Sequence, residues 1–402
     1  MQLALLALGG AVLLLVGFAW RHRTQPQAME RSLHLALCAV TAASELALAV
    51  RKTFVQGEEV IKADQSPVTI GDFAIQALVS LFLKETEPDG KLRLVAEEDT
   101  ETLQSDEALL RIVTDLVNAH YPLPGREWTS AQVLAALGNG GDGGGEGTFW
   151  FLDPIDGTKG FVRGGQFAIG LGRVEDAKLC VAAIGCPSLP GLGGDPVNDV
   201  GGPGFLFGAL LSEQDGWAGA ATLAAAKSVR VDDPPTRWRE SIMGQLQADG
   251  AASPGEQAGR GSRELVTTES YERPCCRDYT CLAGARPCAI DSMAKYCLVA
   301  RGDASVYVRK SAAGKENIWD HSAALVVLAS GGRVTDFQGR ALHFGRGRRL
   351  AGNHGVIATG VGWGALHETL LMEMRKEWYA KYGIQAHTED AELSQLQGKP
   401  GP

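Results

Sequence analysis

The chain has 402 residues, of which 45% are hydrophobic and 21% charged, as in a folded globular protein long enough for two domains or subdomains. Its net charge of −9 argues against a general binder of nucleic-acid polymers, because a polyphosphate strand would be repelled. Small phosphorylated ligands remain open wherever a bound cation inverts the local potential.

Residues 1–20 carry no charged side chain, residues 3–20 are apolar or Gly throughout, and Arg21-His22-Arg23 follow at once. Eighteen apolar residues are about the minimum for a spanning helix. With neither a basic region ahead of them nor an Arg/Ser bias, a membrane anchor is the first reading. A cleaved targeting segment is the second and a buried helix the third. The expected localisation is therefore membrane-anchored or organelle-targeted. Residues 29–54 have helical periodicity and read as a core helix. Residues 64–72 lead into an apolar helix at 73–84, which puts Asp72 near a helix start, where an N-cap role explains it when taken alone. Residues 92–96 read as a strand delivering Glu97-Glu98-Asp99. A helix follows at 106–121, then a Gly-rich loop at 138–147.

Residues 149–161, FWFLDPIDGTKGF, dominate the reading. Their apolar start predicts a buried strand that carries Asp153 to its C-terminal end, and Pro154 is expected to stop it. Asp156-Gly157 makes a tight turn, leaving Thr158 to begin the next segment. Two carboxylates so close are costly unless a cation joins them or one is protonated. Hard oxygen ligands without neighbouring Cys or His favour Mg²⁺ over zinc. An Asp-rich turn capping a helix is the ordinary alternative.

Strands are expected at 167–174, 180–184 and 205–211, with a loop at 185–204 and a turn at 216–219. The predicted organisation is an N-terminal segment at 1–28, an α+β metal-binding subdomain at 29–215, an α/β substrate-binding subdomain at 216–382, and a polar tail at 383–402. Residues 249–261 read as an exposed loop. Segments 289–290, 297–300 and 305–309 alternate with helical or turn segments. Asp320 sits at a helix start, followed by a helix at 323–329, a Gly331-Gly332 stop and a strand at 333–335. The eight cysteines form no CxxC pair, so zinc has weak support. The run Cys275-Cys276-x4-Cys281-x6-Cys288 is either redox-active or a set of reduced thiols. Arg346, Arg348 and Arg349 read as a solvated loop.

Asp72, Glu97, Asp153, Asp156 and Asp320 all fall at predicted strand ends or helix starts, where active sites collect. Five carboxylates can hold two or three divalent ions, which points to hydrolysis of a phosphomonoester. Val95-Ala96-Glu97-Glu98-Asp99, Asp153-Pro154-Ile155-Asp156-Gly157-Thr158 and Trp319-Asp320-His321 closely resemble motifs of the lithium-sensitive inositol monophosphatase superfamily. Ser66-Pro67-Val68-Thr69-Ile70-Gly71-Asp72, Ile184-Gly185-Cys186-Pro187 and Asp291-Ser292-Met293-Ala294-Lys295-Tyr296 resemble its 3'(2'),5'-bisphosphate nucleotidase branch. The resemblance covers about residues 29–382.

That resemblance implies an α/β protein with an α-β-α-β-α layered sandwich of the inositol monophosphatase/fructose-1,6-bisphosphatase type, using Mg²⁺. It would place Glu97, Asp153, the Ile155 carbonyl and Thr158 around one ion, and Asp153, Asp156 and Asp320 around another. Asp72 with Thr158 would orient and deprotonate the attacking water. Gly157, Thr158, Ser292, Lys295, Arg309 and Asp320 would contact the substrate, a small phosphorylated nucleotide. The family's histidine near the substrate is missing, since Glu269-Ser270-Tyr271-Glu272-Arg273-Pro274-Cys275 ends in Cys. The implied reaction removes the 3'-phosphate of adenosine 3',5'-bisphosphate, and of its sulfated analogue, in sulfate assimilation. An inositol (poly)phosphate 1-phosphatase, or a non-catalytic sensor of phosphorylated ligands or redox state, is the alternative.

Overall fold

The computed structural model describes residues 2–55, 67–87, 91–212, 216–246, 264–271, 274–312 and 314–382. The expected loop at 249–261 and tail at 383–402 lie outside them. Helix α1 (Gln2–Val55) runs without a break through the expected boundary at residue 28. Its side chains are described from Gln27 onward. The stretch Gln27–Thr53 is long and apolar enough to cross a membrane, yet 83% of its most apolar window is buried inside the protein. Leu33, Leu37, Val40 and Leu46 of this stretch are core residues. The segment at 3–20, expected to be an anchor, has no described side chains.

Helix α2 (Pro67–Thr86) packs along α1. It begins with Pro at the first helical position, where the missing N–H costs nothing. The helix thus starts earlier than expected, and Asp72 lies inside it rather than at its cap. After β1 (Leu94–Ala96) come α3 (Glu101–Ser105), α4 (Glu107–His120) and α5 (Ser130–Gly138). Asp106 caps α4 by accepting the Leu109 N–H at 2.9 Å, and Thr129 and Gln132 form a capping box on α5.

Strand β2 (Phe149–Asp156) pairs in parallel with β1 and leads into α6 (Thr158–Arg163). It continues past Pro154, which was expected to end it. The register with β3 (Ala168–Glu175) slips between Asp153 and Asp156, so Pro154 sits in a bulge where no ladder donor is needed. The antiparallel run continues through β4 (Lys178–Cys186), β5 (Phe205–Leu211), β6 (Gly216–Thr222), α7 (Leu223–Ala226) and β7 (Gly244–Gln245), giving a seven-stranded sheet in sequence order. The turn expected at 216–219 is therefore strand. A Cβ on Gly219 would fall 2.7 Å from the Trp217 ring, so these glycines are spaces for packing rather than turn formers. The expected boundary at 215/216 falls between β5 and β6, which are paired (Leu211↔Gly216). The sheets divide between Gln245 and Val266 instead.

The second sheet contains β8 (Val266–Glu269), β9 (Arg286–Ala289), β10 (Val306–Arg309), β11 (Arg333–Thr335) and β12 (Val356–Thr359) in the order β11-β12-β10-β8-β9. Helix α8 (Ala294–Arg301), which contains residues 297–300, and α9 (Ala324–Ala329) pack between the sheets. Helix α10 (Gly364–Tyr382) packs on β12. The layers read α1/α2, first sheet, α8/α9, second sheet, α10: the α-β-α-β-α sandwich of an α/β protein.

Candidate active site

Parallel pairing sets Ala96 beside Leu152, so Glu97, leaving β1, and Asp153, the next residue along β2, come side by side. Gln76 of α2 pins the acidic turn. Its Nε2 donates to the Glu98 carbonyl at 2.7 Å and its Oε1 accepts the Glu98 N–H at 3.0 Å. Asp72, one turn earlier on α2, is buried close to the same carboxylates. Beyond the bulge, Gly157 takes a left-handed conformation (φ 85°) that turns the chain into α6. The Thr158 hydroxyl makes a long contact, 3.5 Å, to the Ile155 carbonyl.

The other half of the site comes from α8, β10 and the single 3-10 turn Trp319–His321. Arg309 donates from Nη2 to Asp320 at 2.8 Å and from Nε to Glu316 at 2.7 Å. His321 lies between the Tyr296 hydroxyl (2.7 Å to Nδ1) and Glu316 (3.2 Å from Nε2). The Met293 N–H donates to Asp156. Ser292 has a φ of 74° and its Oγ accepts the Ala294 N–H at 3.2 Å. Lys295 is buried, donates to the Ile290 carbonyl at 3.2 Å and stands 5.5 Å over the Tyr307 ring.

Burial and mutual repulsion set the charge state of this set. Burial, then Asp156 and Glu97, pushes Asp153 well above the carboxylate range. Burial, then Glu98 and Glu97, does the same to Asp72. Asp156 rises to about 6 through burial and Asp320, with Lys295 and Arg309 opposing. Glu97 keeps an exposed face, yet desolvation of its carboxyl and the charges of Glu98, Asp320 and Asp156 raise it to about 7. Burial lowers Lys295 to about 8 against the pull of Asp156.

Asp156, Gly157, Thr158, Ser292, Lys295 and Arg309 line one cavity of about 500 Å³. Asp72, Glu97, Asp153 and Asp320 do not line it, but their charges act on Asp156 or on one another. Arg309, expected to meet substrate, has its donors on Glu316 and Asp320. Sequence reading missed Gln76, Glu316 and Tyr296, and it misjudged Arg348. That guanidinium donates to the Ala96, Gly140 and Asp142 carbonyls at 2.5, 3.2 and 3.3 Å and lies 4.9 Å over the Trp319 ring. It is a clamp between the two halves, not a solvated loop residue. No local pattern marks such contacts, whose partners are 206, 208 and 252 positions apart.

The donor set fits an oxygen-preferring dication. Oδ1 of Asp153 is buried without a hydrogen-bond partner, and its neighbours are carboxylates. Among the described residues, the groups of three ligands already within 4.8 Å of one another are Glu316–Asp320–His321 and Glu269–Cys275–Cys276. The five carboxylates are more widely spread, as repelling charges are.

The inositol monophosphatase family model matches residues 64–379. The chain belongs to the inositol monophosphatase family. Its curated relatives within that family include the 3'(2'),5'-bisphosphate nucleotidase of Oryza sativa, 38% identical over 341 residues, covering 80% of this chain and 88% of the relative. A relative of the same name from Emericella nidulans is 35% identical over 356 residues, covering 82% and 94%. These bear out the resemblance read from the motifs. Among solved structures, CysQ from Bacteroides thetaiotaomicron, a bacterial member of the inositol monophosphatase family, superposes with a TM-score of 0.50 at 18% identity. That match covers 82% of this chain and 97% of CysQ, and supports the fold alone.

Proposed function

We propose that the protein is a Mg²⁺-dependent phosphatase that removes the 3'-phosphate of adenosine 3',5'-bisphosphate, giving AMP and phosphate. It would act on 3'-phosphoadenylyl sulfate at the same site and so serve sulfate assimilation. One observation carries the reading: buried, mutually repelling carboxylates adjoin a cavity that Ser292, Lys295 and Arg309 also line. The family generally uses Mg²⁺, and the similar plant and fungal proteins are named as nucleotidases.

In this reading Glu97, Asp153, the Ile155 carbonyl and Thr158 hold one ion, and Asp153, Asp156 and Asp320 a second. Bound there, divalent ions supply Lewis-acid stabilisation of phosphoryl charge and a more acidic water. Asp72, whose carboxyl favours a proton, takes one from the attacking water while the Thr158 hydroxyl orients it. Ser292 and Lys295 hold the 5'-phosphate away from the reacting centre, so remote binding energy aligns the 3'-phosphate. Arg309 contributes through Nη2, for which a phosphate must compete with Asp320.

The test is kcat/KM for adenosine 3',5'-bisphosphate, inositol 1-phosphate and inositol 1,4-bisphosphate. The nucleotide is expected to lead. Equal or better turnover of an inositol phosphate moves the assignment to an inositol (poly)phosphate 1-phosphatase, and no turnover of any of the three overturns the phosphatase reading.

Residues 3–20 belong to the proposal as a segment for membrane attachment or organelle targeting. Removing residues 1–23 leaves the buried stretch from Gln27 intact and should leave kcat/KM unchanged. A folded, soluble truncation without activity would refute a placement role.

A further inference from the structure

Glu269, Cys275 and Cys276 form a second convergence of ligands, distinct from the carboxylate set. Their thiol sulfurs and a carboxylate oxygen lie within 4.8 Å of one another, and all three residues are buried. The backbone builds this arrangement. Glu269 ends β8, and its Oε2 accepts the N–H groups of Cys275 (2.7 Å) and Cys276 (2.9 Å), which folds the turn back onto the strand. The Cys276 side chain is hydrogen-bonded to both Cys275 and Glu269. That bond draws the Cys275 thiol below its ordinary range and pushes the Cys276 thiol above it. Cys275 also lines the 500 Å³ cavity, which gives the cluster a path to solvent.

We propose that Glu269, Cys275 and Cys276 bind a thiophilic divalent cation of the zinc class in the wall of this cavity. Two thiolates and a carboxylate are three of the four ligands of a tetrahedral site, and the side of Cys275 leaves the fourth position to a water. Softness sorts the ions: thiolate sulfur selects Zn²⁺ or Cd²⁺, while the all-oxygen set favours Mg²⁺. The exchange balances. The cation forms two metal–sulfur bonds, each thiol releases its proton to solvent, and the net charge of the cluster is unchanged. Occupancy therefore acts on the cavity by fixing the 274–276 turn, not by altering the field. The inference stands on the cluster's own geometry and does not depend on which phosphate ester is hydrolysed.

The experiment titrates the full chain with Cd²⁺, reading thiolate-to-metal charge-transfer absorption and proton release in weak buffer. One equivalent should produce the band and release two protons, Zn²⁺ should displace it, and excess Mg²⁺ should not. Cys276, which does not line the cavity, is the residue to change. Cys276→Ala, and Cys276→Ser should the first variant not fold, is expected to abolish the band. Cys281→Ala and Cys297→Ala are expected to keep it. A band that survives in the Cys276 variants, one lost in Cys297→Ala instead, or no band in the wild type overturns the proposal.

Discussion

The seven-stranded sheet carries Glu97 just past the end of β1 and Asp153 and Asp156 on either side of the β2 bulge, while the five-stranded sheet and its helices bring Lys295, Arg309 and Asp320 toward the same region. The charges of the two halves are settled differently. On the first side carboxylates are answered mainly by other carboxylates, and Asp153 keeps a buried oxygen with no partner. On the second side the ions pair internally. Burial works against the Glu316 carboxylate, but the His321 hydrogen bond and charge, with Arg309, outweigh it and hold its pKa down to about 2. The contrast separates two uses of buried charge. One half gathers carboxylates that repel one another, a setting that an outside cation would relieve. The other is a finished framework that positions side chains.

The largest effect should come from removing charge on the unfinished side. Asp153→Asn is expected to lower kcat by about 10³-fold or more, several kcal/mol of transition-state stabilisation. In chelator-treated protein the same change should raise the melting temperature at high pH, where the buried Asp153 carboxyl would otherwise have to ionise beside its neighbours, and leave it unchanged at low pH, where that carboxyl is protonated. Near-full turnover in a folded Asp153→Asn variant would show that the carboxylates are not the metal site.

The two halves should also respond to pH with opposite sign. His367 of α10 is buried between Thr335 (2.9 Å to Nε2) and Thr359 (2.9 Å to Nδ1). The Thr335 proton goes to the Asp336 carbonyl, so Nε2 carries a hydrogen and donates it to Thr335. Burial, aided by Arg333, lowers its pKa from 6.5 to about 4. Between these values the unfolded chain binds more protons, so the stability this residue contributes is full above pH 6.5 and is lost as pH falls toward 4. The loss is at most ~3 kcal/mol. On the first side Asp156 and Glu97 are raised to about 6 and 7, so the metal-free folded state binds more protons. Their contribution is present at low pH and lost as pH rises through these values. Urea denaturation of His367→Gln and wild type across pH 4–8, with chelator and with Mg²⁺, checks both signs. An unchanged acid limb in His367→Gln would remove the assignment to His367.

What the sequence made legible follows the same division. Asp153, Asp156 and Thr158 were readable because an apolar run, a Pro and an Asp-Gly turn sit next to one another in the chain. Phe205–Leu211 was read to the residue because its signal is local apolarity. Pro154 misled, since a lost donor was taken to end a strand and instead selected a bulge. Glycines 216 and 219 misled because small residues serve close packing as well as turns. The framework of Glu316, Tyr296 and Arg348 was hidden, because each acts through partners set by tertiary folding. Asp72 was seen, but its helix begins earlier than expected, so the cap that explains it when taken alone does not apply.

The smallest expected effect tests the seam between the halves. Gly157 has φ 85°, and a Cβ there would stand 2.8 Å from the Ser292 Cβ and 3.2 Å from its backbone nitrogen. Gly125 has a similar φ of 75°, but a Cβ there meets nothing within 4 Å. Both substitutions to Ala carry the left-handed backbone cost of about 1–2 kcal/mol. Only Gly157→Ala also pushes the end of β2 away from Ser292, which leads into the helix that carries Lys295. Its stability loss should therefore exceed that of Gly125→Ala, and KM for the phosphorylated substrate should rise with it, whereas Gly125→Ala should leave KM unchanged. Urea midpoints and steady-state kinetics on the two variants make the comparison. If the two lose the same stability and neither moves KM, close contact between Gly157 and Ser292 is not what holds the Asp156–Thr158 turn in place at the cavity.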